Sequence, residues 1–591
     1  MIPASSIRQR ILLAASVLAL AGASAHGVPL ARVEGVEDPQ LHAELARIVG
    51  EAPSHTDNRW RNRERARDAG EQIRRYLDSE GYFAALIDPR LDDDQRPLVR
   101  VRPGEQFTIG SLDIRFETPQ GGEQPGQDIL AASRLRAGQP LRSPDVIETE
   151  RAVVDALRNN GWPLARGGEH TITADHLDAS VTVEMRFVTG PFLHFGEPQL
   201  AGGLADLRES YVARLAPFTP GEPVSVRQLN VYTQRLQALD SVALAEARLA
   251  PADDDSVNGT RNVDVRMEPT PRHRLQLSAR YATTEGAGAE AEWMRRNLFR
   301  RDEALTVITR ASELNTGAEA RLRLPHWRRF AQTLELGGGI TLESTDAYNQ
   351  DSVFARATLS RPVTDQLFFS GGVEAQIAQI EDAAGERQLN SLTLPLSLAY
   401  DDRDDALDPQ SGIGVELRLQ PGYTFGDSDA QYVRAVLAAR TYFAVSERLV
   451  IAVQGRAGAL LGVDAASVPA DLRFYAGGGG SVRGYGYQAL SPRVVSINTG
   501  ELEPFGGRSL VETSIEARWR HSQRLGFVGF IDGGVAAGAL EPDLGDMRYG
   551  AGVGVRYYPG FGPLRVDIAT PLNRRSGDAA IHLYISIGQA F

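Results

Sequence analysis

Residues 511–520 read V-E-T-S-I-E-A-R-W-R. In an extended chain Val511, Ile515, Ala517 and Trp519 lie on one side, and Glu512, Ser514, Glu516, Arg518 and Arg520 on the other. Residues 413–420 repeat the pattern: Ile413, Val415, Leu417 and Leu419 are apolar, and Glu416, Arg418 and Gln420 are polar. A soluble β-sandwich also alternates, but charges facing inward so often make a poor dry core. A barrel with a lipid-facing exterior and a wet lumen accounts for both faces.

Working outward, the alternation extends over 272–591 as sixteen candidate strands. They lie near 274–281, 289–297, 303–311, 317–325, 332–343, 352–361, 367–378, 389–400, 411–420, 431–445, 448–462, 508–520, 524–536, 547–558, 563–571 and 580–591. About 20 residues per strand and turn suits membrane-crossing strands of about 10 residues. With the N-terminal part in the periplasm, connections after even-numbered strands are expected to be short and those after odd-numbered strands longer. The longest is 463–507, expected on the extracellular side and long enough to plug the lumen.

Before residue 272 the pattern is different. Residues 66–79 put Ala69, Ile73, Tyr76 and Leu77 on one helical face and stop at Glu80-Gly81-Tyr82. The phrase returns at 152–160 with Val153, Val154, Ala156 and Leu157, ending at Asn160-Gly161-Trp162, and more weakly at 229–239. Alternating strands follow at 98–101, 181–187 and 263–267. A period near eighty residues predicts three tandem α+β units, at 26–107, 108–190 and 191–271.

Arg8 and Arg10 precede the apolar run 11–22, and Ala23-Ser24-Ala25 follows. That is a secretory signal pattern with cleavage expected after Ala25; the run is too short for a membrane helix. The 591 residues contain no cysteine, so no disulfide, thiol nucleophile or cysteine zinc cage is available. All 63 basic residues are arginine and the net charge is −13, which argues against nucleic-acid binding.

Residues 476–492, A-G-G-G-G-S-V-R-G-Y-G-Y-Q-A-L-S-P, sit in the long loop. Without a lysine they are no phosphate-binding P-loop. The acidic run Asp401, Asp402, Asp404, Asp405 and Asp408 offers oxygen ligands without EF-hand spacing, and reads as a structured turn. H-E-x-x-H and G-x-S-x-G are absent. No catalytic residue, cofactor or metal site is expected.

Val482-Arg483-Gly484-Tyr485 resembles the V-R-G-[FY] motif of the outer-membrane insertase superfamily, whose members join periplasmic POTRA domains to a sixteen-stranded barrel. Phe530-Ile531-Asp532-Gly533-Gly534 resembles its F-x-D-x-G strand. Residues 400–409 resemble its D-x-R-D-x-P-L-x-P turn, with Ala406 in place of a proline. Gly552-x-Gly554-x-Arg556 and Gly562-Pro563-Leu564-Arg565-x-Asp567 resemble its C-terminal motif. Three α+β units and the longer match 481–492 are most similar to the TamA branch, the outer-membrane subunit of the translocation and assembly module.

The resemblance implies an all-β transmembrane barrel of about sixteen antiparallel strands preceded by three periplasmic POTRA domains, in the bacterial outer membrane. It implies a non-enzymatic assembly factor for β-barrel or autotransporter proteins. An export pore of the two-partner secretion type is the alternative. The implied partners are a TamB-like inner-membrane-anchored periplasmic protein, nascent outer-membrane proteins and outer-membrane lipid, with no nucleic acid.

Two residue sets follow. A lone guanidinium in a lumen calls for a carboxylate with matching fork geometry. Phe527, Gly529 and Ile531 share one face, so Asp532 faces the lumen and is the expected partner of Arg483. Glu512 and Glu516 are second choices, Tyr485 and Tyr487 are expected to hold the arginine, and Gly484 belongs to the same lumen latch. In the last strand, Ile581, Leu583, Ile585 and Ile587 share a face with terminal Phe591, and Gly588 weakens the pairing. A lateral gate is expected where this strand meets the first, with Leu275, Leu277, Ile585, Ile587, Gly588 and Phe591 at the seam.

Overall fold

The computed structural model describes residues 28–52, 58–203, 206–251, 258–559 and 564–587. The expected signal peptide with Ala23 and Ala25, and the seam residues Gly588 and Phe591, lie outside these.

The N-terminal part holds three three-stranded sheets of one pattern. In the first, strand Pro97–Arg102 is central, parallel to Arg32–Glu34 and antiparallel to Leu86–Leu91. In the second, Ser180–Val188 is central between Thr108–Glu117 and Arg166–Asp175. In the third, Asn258–Pro269 lies between Val242–Leu249 and Phe192–Gly203. Helices Pro39–Val49 and Arg59–Ser79 accompany the first sheet, Ser143–Asn159 the second, and Glu209–Arg214 and Val226–Gln237 the third.

Helix Arg59–Ser79 begins earlier than its apolar stripe. The Asn58 side chain accepts from the Trp60 and Arg61 amides and so caps the first turn. Its buried face is Ala66, Ala69, Ile73 and Leu77. Ala69, Ile73 and Leu77 pack on Val99 and Val101 of the central strand.

The barrel strands are β1 His273–Ala282, β2 Gly286–Arg296, β3 Ala304–Ser312, β4 Asn315–Leu324, β5 Thr333–Ser344, β6 Tyr348–Pro362, β7 Leu367–Asp382, β8 in two pieces (Gly385–Thr393 and Leu396–Asp401), β9 Gly412–Gly426, β10 Ala430–Ser446, β11 Leu449–Leu461, β12 Ser509–Arg520, β13 Leu525–Ala537, β14 Arg548–Tyr557, β15 Leu564–Pro571 and β16 His582–Ile587. They form one closed antiparallel sheet. Both pieces of β8 pair with the same neighbours, β7 and β9. The break falls at Leu394-Pro395, where proline has no N–H for the ladder.

Along β12, Glu512, Ser514, Glu516 and Arg518 are buried, while Ile515 and Trp519 are exposed on the outer face. The polar side is therefore the inside, and the apolar outside suits lipid.

The expectation about connections fails on one side. After β1, β3, β5, β7 and β9 they are tight turns (283–285, 313–314, 345–347, 383–384 and 427–429), shorter than 297–303, 325–332 and 402–411 after even strands. The strands continue past a membrane's need, with β7 running for 16 residues and β10 for 17. Alternation and cross-strand pairing persist there, so chain expected in loops is strand. The exceptions are 462–508 between β11 and β12, 538–547 between β13 and β14, and 572–581 between β15 and β16.

Candidate functional site

The long connection folds into the barrel. Val468, Leu472, Phe474, Val482, Tyr485 and Leu490 form an apolar cluster with Leu460 of β11, Leu510 of β12 and Ala536 of β13. Arg483 is buried against β12–β15 (Arg483 2% exposed, Asp532 0%).

Arg483 and Asp532 make a forked pair: Nε donates to Oδ2 at 2.6 Å and Nη2 to Oδ1 at 2.8 Å. The Arg483 amide donates to the same carboxylate at 3.1 Å, and Ser514 Oγ donates to it at 2.6 Å. Nη1 reaches Glu516 Oε1 at 2.8 Å and Asp567 Oδ2 at 3.1 Å. The guanidinium carbon lies 3.4 Å from the Phe530 ring centroid, in cation–π contact.

The arginine is not solitary. Arg518 pairs with Glu516 at 2.9 Å, Arg565 with Asp567 at 2.5 Å, and Arg556 also with Asp567. Four guanidinium groups thus share three carboxylates. Such a network persists out of water only if each charge is paired and hydrogen-bonded.

Two sequence expectations are corrected. Glu512 is not in this network; it takes a hydrogen bond from Ser481 and pairs with Arg456 at 2.5 Å. Tyr485 does not hold the arginine: its hydroxyl donates to Asn573 Oδ1 at 2.8 Å. The ring on Arg483 is Phe530, which precedes Asp532 by two residues and so shares its face. Asp567, Arg556 and Arg565 were missed as partners, although their motifs stood out and strand alternation places Arg565 and Asp567 inward. Gly484 has φ +99° and its amide donates to Tyr584 Oη at 3.1 Å.

At the other end of the loop segment, Arg473 pairs with Asp382 at 2.8 Å, with both side chains fully buried. It stacks on Phe505 at 4.2 Å and donates to the Phe505 carbonyl at 3.0 Å. Arg387 of β8 also grips Asp382, at 2.6 and 2.8 Å.

The seam lies between β1 and β16, whose described residues end at Ile587. The described ladder joins Tyr281 to Ile585 and Ala282 to Tyr584, and the Thr283 amide adds a bond to the Leu583 carbonyl at 3.0 Å. β1 and β2 share ten pairs, and β6 and β7 fifteen. Leu275 and Leu277 pair with Trp293 and Ala291 of β2 and have no β16 partner among the described residues. Their expected contact with the end of the last strand, at Gly588 and Phe591, lies outside the described residues. Ile587 pairs with Leu564 of β15.

A further cluster, unforeseen in the sequence, gathers at the turns 297–303 and 325–332. Asp302 accepts from the Ser241 amide at 2.7 Å and the Asp240 amide at 3.2 Å. Burial pushes its carboxyl above the usual range. Arg300 pairs with Asp206 at 2.7 Å. His326 stacks on Phe330 at 4.8 Å, and Arg235 covers the same ring at 4.0 Å. Burial, with Arg214, Arg235 and Arg323 nearby, lowers His326 from 6.5 to about 4.

The Omp85 superfamily domain matches residues 294–591. The chain belongs to the Omp85 superfamily. It is 21% identical over 538 residues to the outer membrane protein assembly factor BamA of Neorickettsia risticii (strain Illinois), covering 85% of this chain and 69% of the relative. It is 22% identical over 604 residues to BamA of Neisseria meningitidis serogroup B, covering 88% and 72%. Among solved structures, BamA from Haemophilus ducreyi lacking POTRA domains 1–3 superposes with a TM-score of 0.66 at 14% identity, over 82% of this chain and all of that one.

That likeness shows the fold. The three N-terminal sheets of this Omp85 protein resemble POTRA domains, and its barrel places it in the outer membrane.

Proposed function

We propose that this Omp85 protein is an outer-membrane assembly factor of the TamA branch, helping β-barrel or autotransporter chains to fold, insert or cross through a lateral gate between β1 and β16. The observation that carries the reading is the loop packed inside the barrel, with Arg483 buried and forked on Asp532 at 2.6 and 2.8 Å; the gate is placed at the meeting of β1 and β16. Backbone groups left unpaired in lipid are costly, and an incoming strand satisfies them. A loop packed across the lumen supports assembly over an open export pore. Arg483 with Asp532 serves as the latch of that loop. The POTRA-like units, within residues 30–190, serve as the dock for a TamB-like inner-membrane-anchored partner, for which exposed sheet edges are suited. Three such units and the 481–492 motif support the TamA branch.

The test locks the seam. Tyr281→Cys with Ile585→Cys joins a directly paired position in a cysteine-free chain. Client barrels, scored by heat-modifiable gel mobility, are expected to stop folding when the disulfide forms and to resume on reduction. Undiminished client folding by the locked protein would exclude an obligatory gate. Deleting 30–190 while the barrel still folds is expected to abolish co-purification of the periplasmic partner.

A further inference from the structure

The glycine run is not explained by the latch, since Arg483 needs no four glycines before it. The loop backbone reaches both sides of the seam from within. The Gly479 amide donates to Glu285 Oε1 at 2.8 Å, in the turn joining β1 to β2. The Gly484 amide donates to Tyr584 Oη at 3.1 Å, on β16. Tyr485 adds its hydroxyl to Asn573, in the connection that leads into β16.

Side chains would prevent this approach. A Cβ on Gly479 would lie 2.9 Å from the Tyr584 ring and 3.1 Å from the Glu285 carboxylate. A Cβ on Gly484 would lie 2.8 Å from the Thr570 carbonyl, at a left-handed φ. Beneath the loop, Ala282 of β1 and Tyr584 of β16 belong to one buried apolar patch with Phe530. The patch spans the seam and also carries the arginine.

We propose that residues 479–484 form a lumenal clasp that holds the seam closed, with Glu285 and Tyr584 as its positioning residues on either side. The bonds made by the loop to Glu285 and Tyr584 add to the pairing of β1 with β16, so the seam opens only when this segment withdraws. The proposal rests on the gate reading above and adds what controls the gate.

Hydrogen exchange on the full-length protein in lipid nanodiscs, with no client present, tests it. Glu285→Gln/Tyr584→Phe keeps both shapes and removes the charge and the hydroxyl. A bond to a charged group is worth enough that amides of 279–284 and 582–586 are expected to exchange about tenfold faster. Those of β5 and β6, away from the seam, are expected to be unchanged. Gly479→Ala, which alters neither strand, is expected to do the same. Unchanged seam exchange in both variants overturns the clasp, and so does equal acceleration in β5 and β6, which would mean general loosening. Because no client enters the measurement, failure here leaves the assembly reading standing, and a client-folding failure leaves the clasp standing.

Discussion

Arg483 and Asp532, 49 residues apart in sequence, face each other through two parallel hydrogen bonds of 2.6 and 2.8 Å inside the barrel. The arginine belongs to the loop and the aspartate to the wall, so this pair ties a segment outside the barrel's ladder to a closed sheet.

Removing the arginine is expected to hurt more than removing the aspartate. Arg483→Ala deletes contacts to Asp532, Glu516, Asp567 and Phe530 together. Asp532→Asn leaves the arginine with two carboxylates and its ring. Breaking a buried pair from one side costs about 3–5 kcal/mol, and Arg483→Ala should lie at or above the lower end. Arg483→Lys should rescue only in part, because an ammonium cannot reproduce the fork. Protease protection of 476–492 in proteoliposomes reads this order. Equal protection in Arg483→Ala and wild type would remove the latch.

Gly550 offers a route to the same state without touching a charge. A Cβ there would meet the Arg483 carbonyl oxygen at 1.9 Å, and that obstacle is backbone. Gly550→Ala is expected to displace the loop and expose it to protease while β14 still pairs with β13 and β15. A variant with wild-type protection would show that the loop tolerates a shift at its latch.

The second anchor is expected to act on the barrel mouth. Arg473→Ala leaves Asp382 with Arg387 but frees the segment 468–475 from Phe505 and from the β7–β8 turn. Single-channel conductance is expected to rise or flicker relative to wild type, with Arg483 still in place. A silent Arg473→Ala channel would mean that the Arg483 network alone seals the lumen.

Acid should loosen the turn 325–332 from helix Glu209–Arg214. His326, which faces Tyr211 and lies among Arg214, Arg235 and Arg323, has a native value of about 4. The unfolded chain therefore takes up a proton near 6.5, before the native one does. Its contribution to stability is whole above 6.5 and is lost as the pH falls toward 4. Exchange protection factors for 208–216 should drop across that window in wild type and stay flatter in His326→Gln. Parallel curves would assign the pH response elsewhere.

The sequence by itself determined what repeats locally. Alternation with period two fixes which side chains of a strand face inward, so the sixteen strands, the inward Asp532 and the inward Glu516 could be read from spacing. The helix-to-strand repeat fixed three α+β units in the same way. It did not determine which inward faces meet. Asp567 and Arg565 lie on β15 and Arg556 on β14, and only closure of the sheet brings them to an arginine contributed by a loop after β11. Strand ends were misjudged for a related reason: pairing of neighbours carries β6, β7 and β9 beyond the point where local pattern fades. The seam and the contacts of Gly479 and Gly484 depend on closure most of all. The two strands concerned are about 300 residues apart in sequence, and their register against each other is set by the fourteen strands between them.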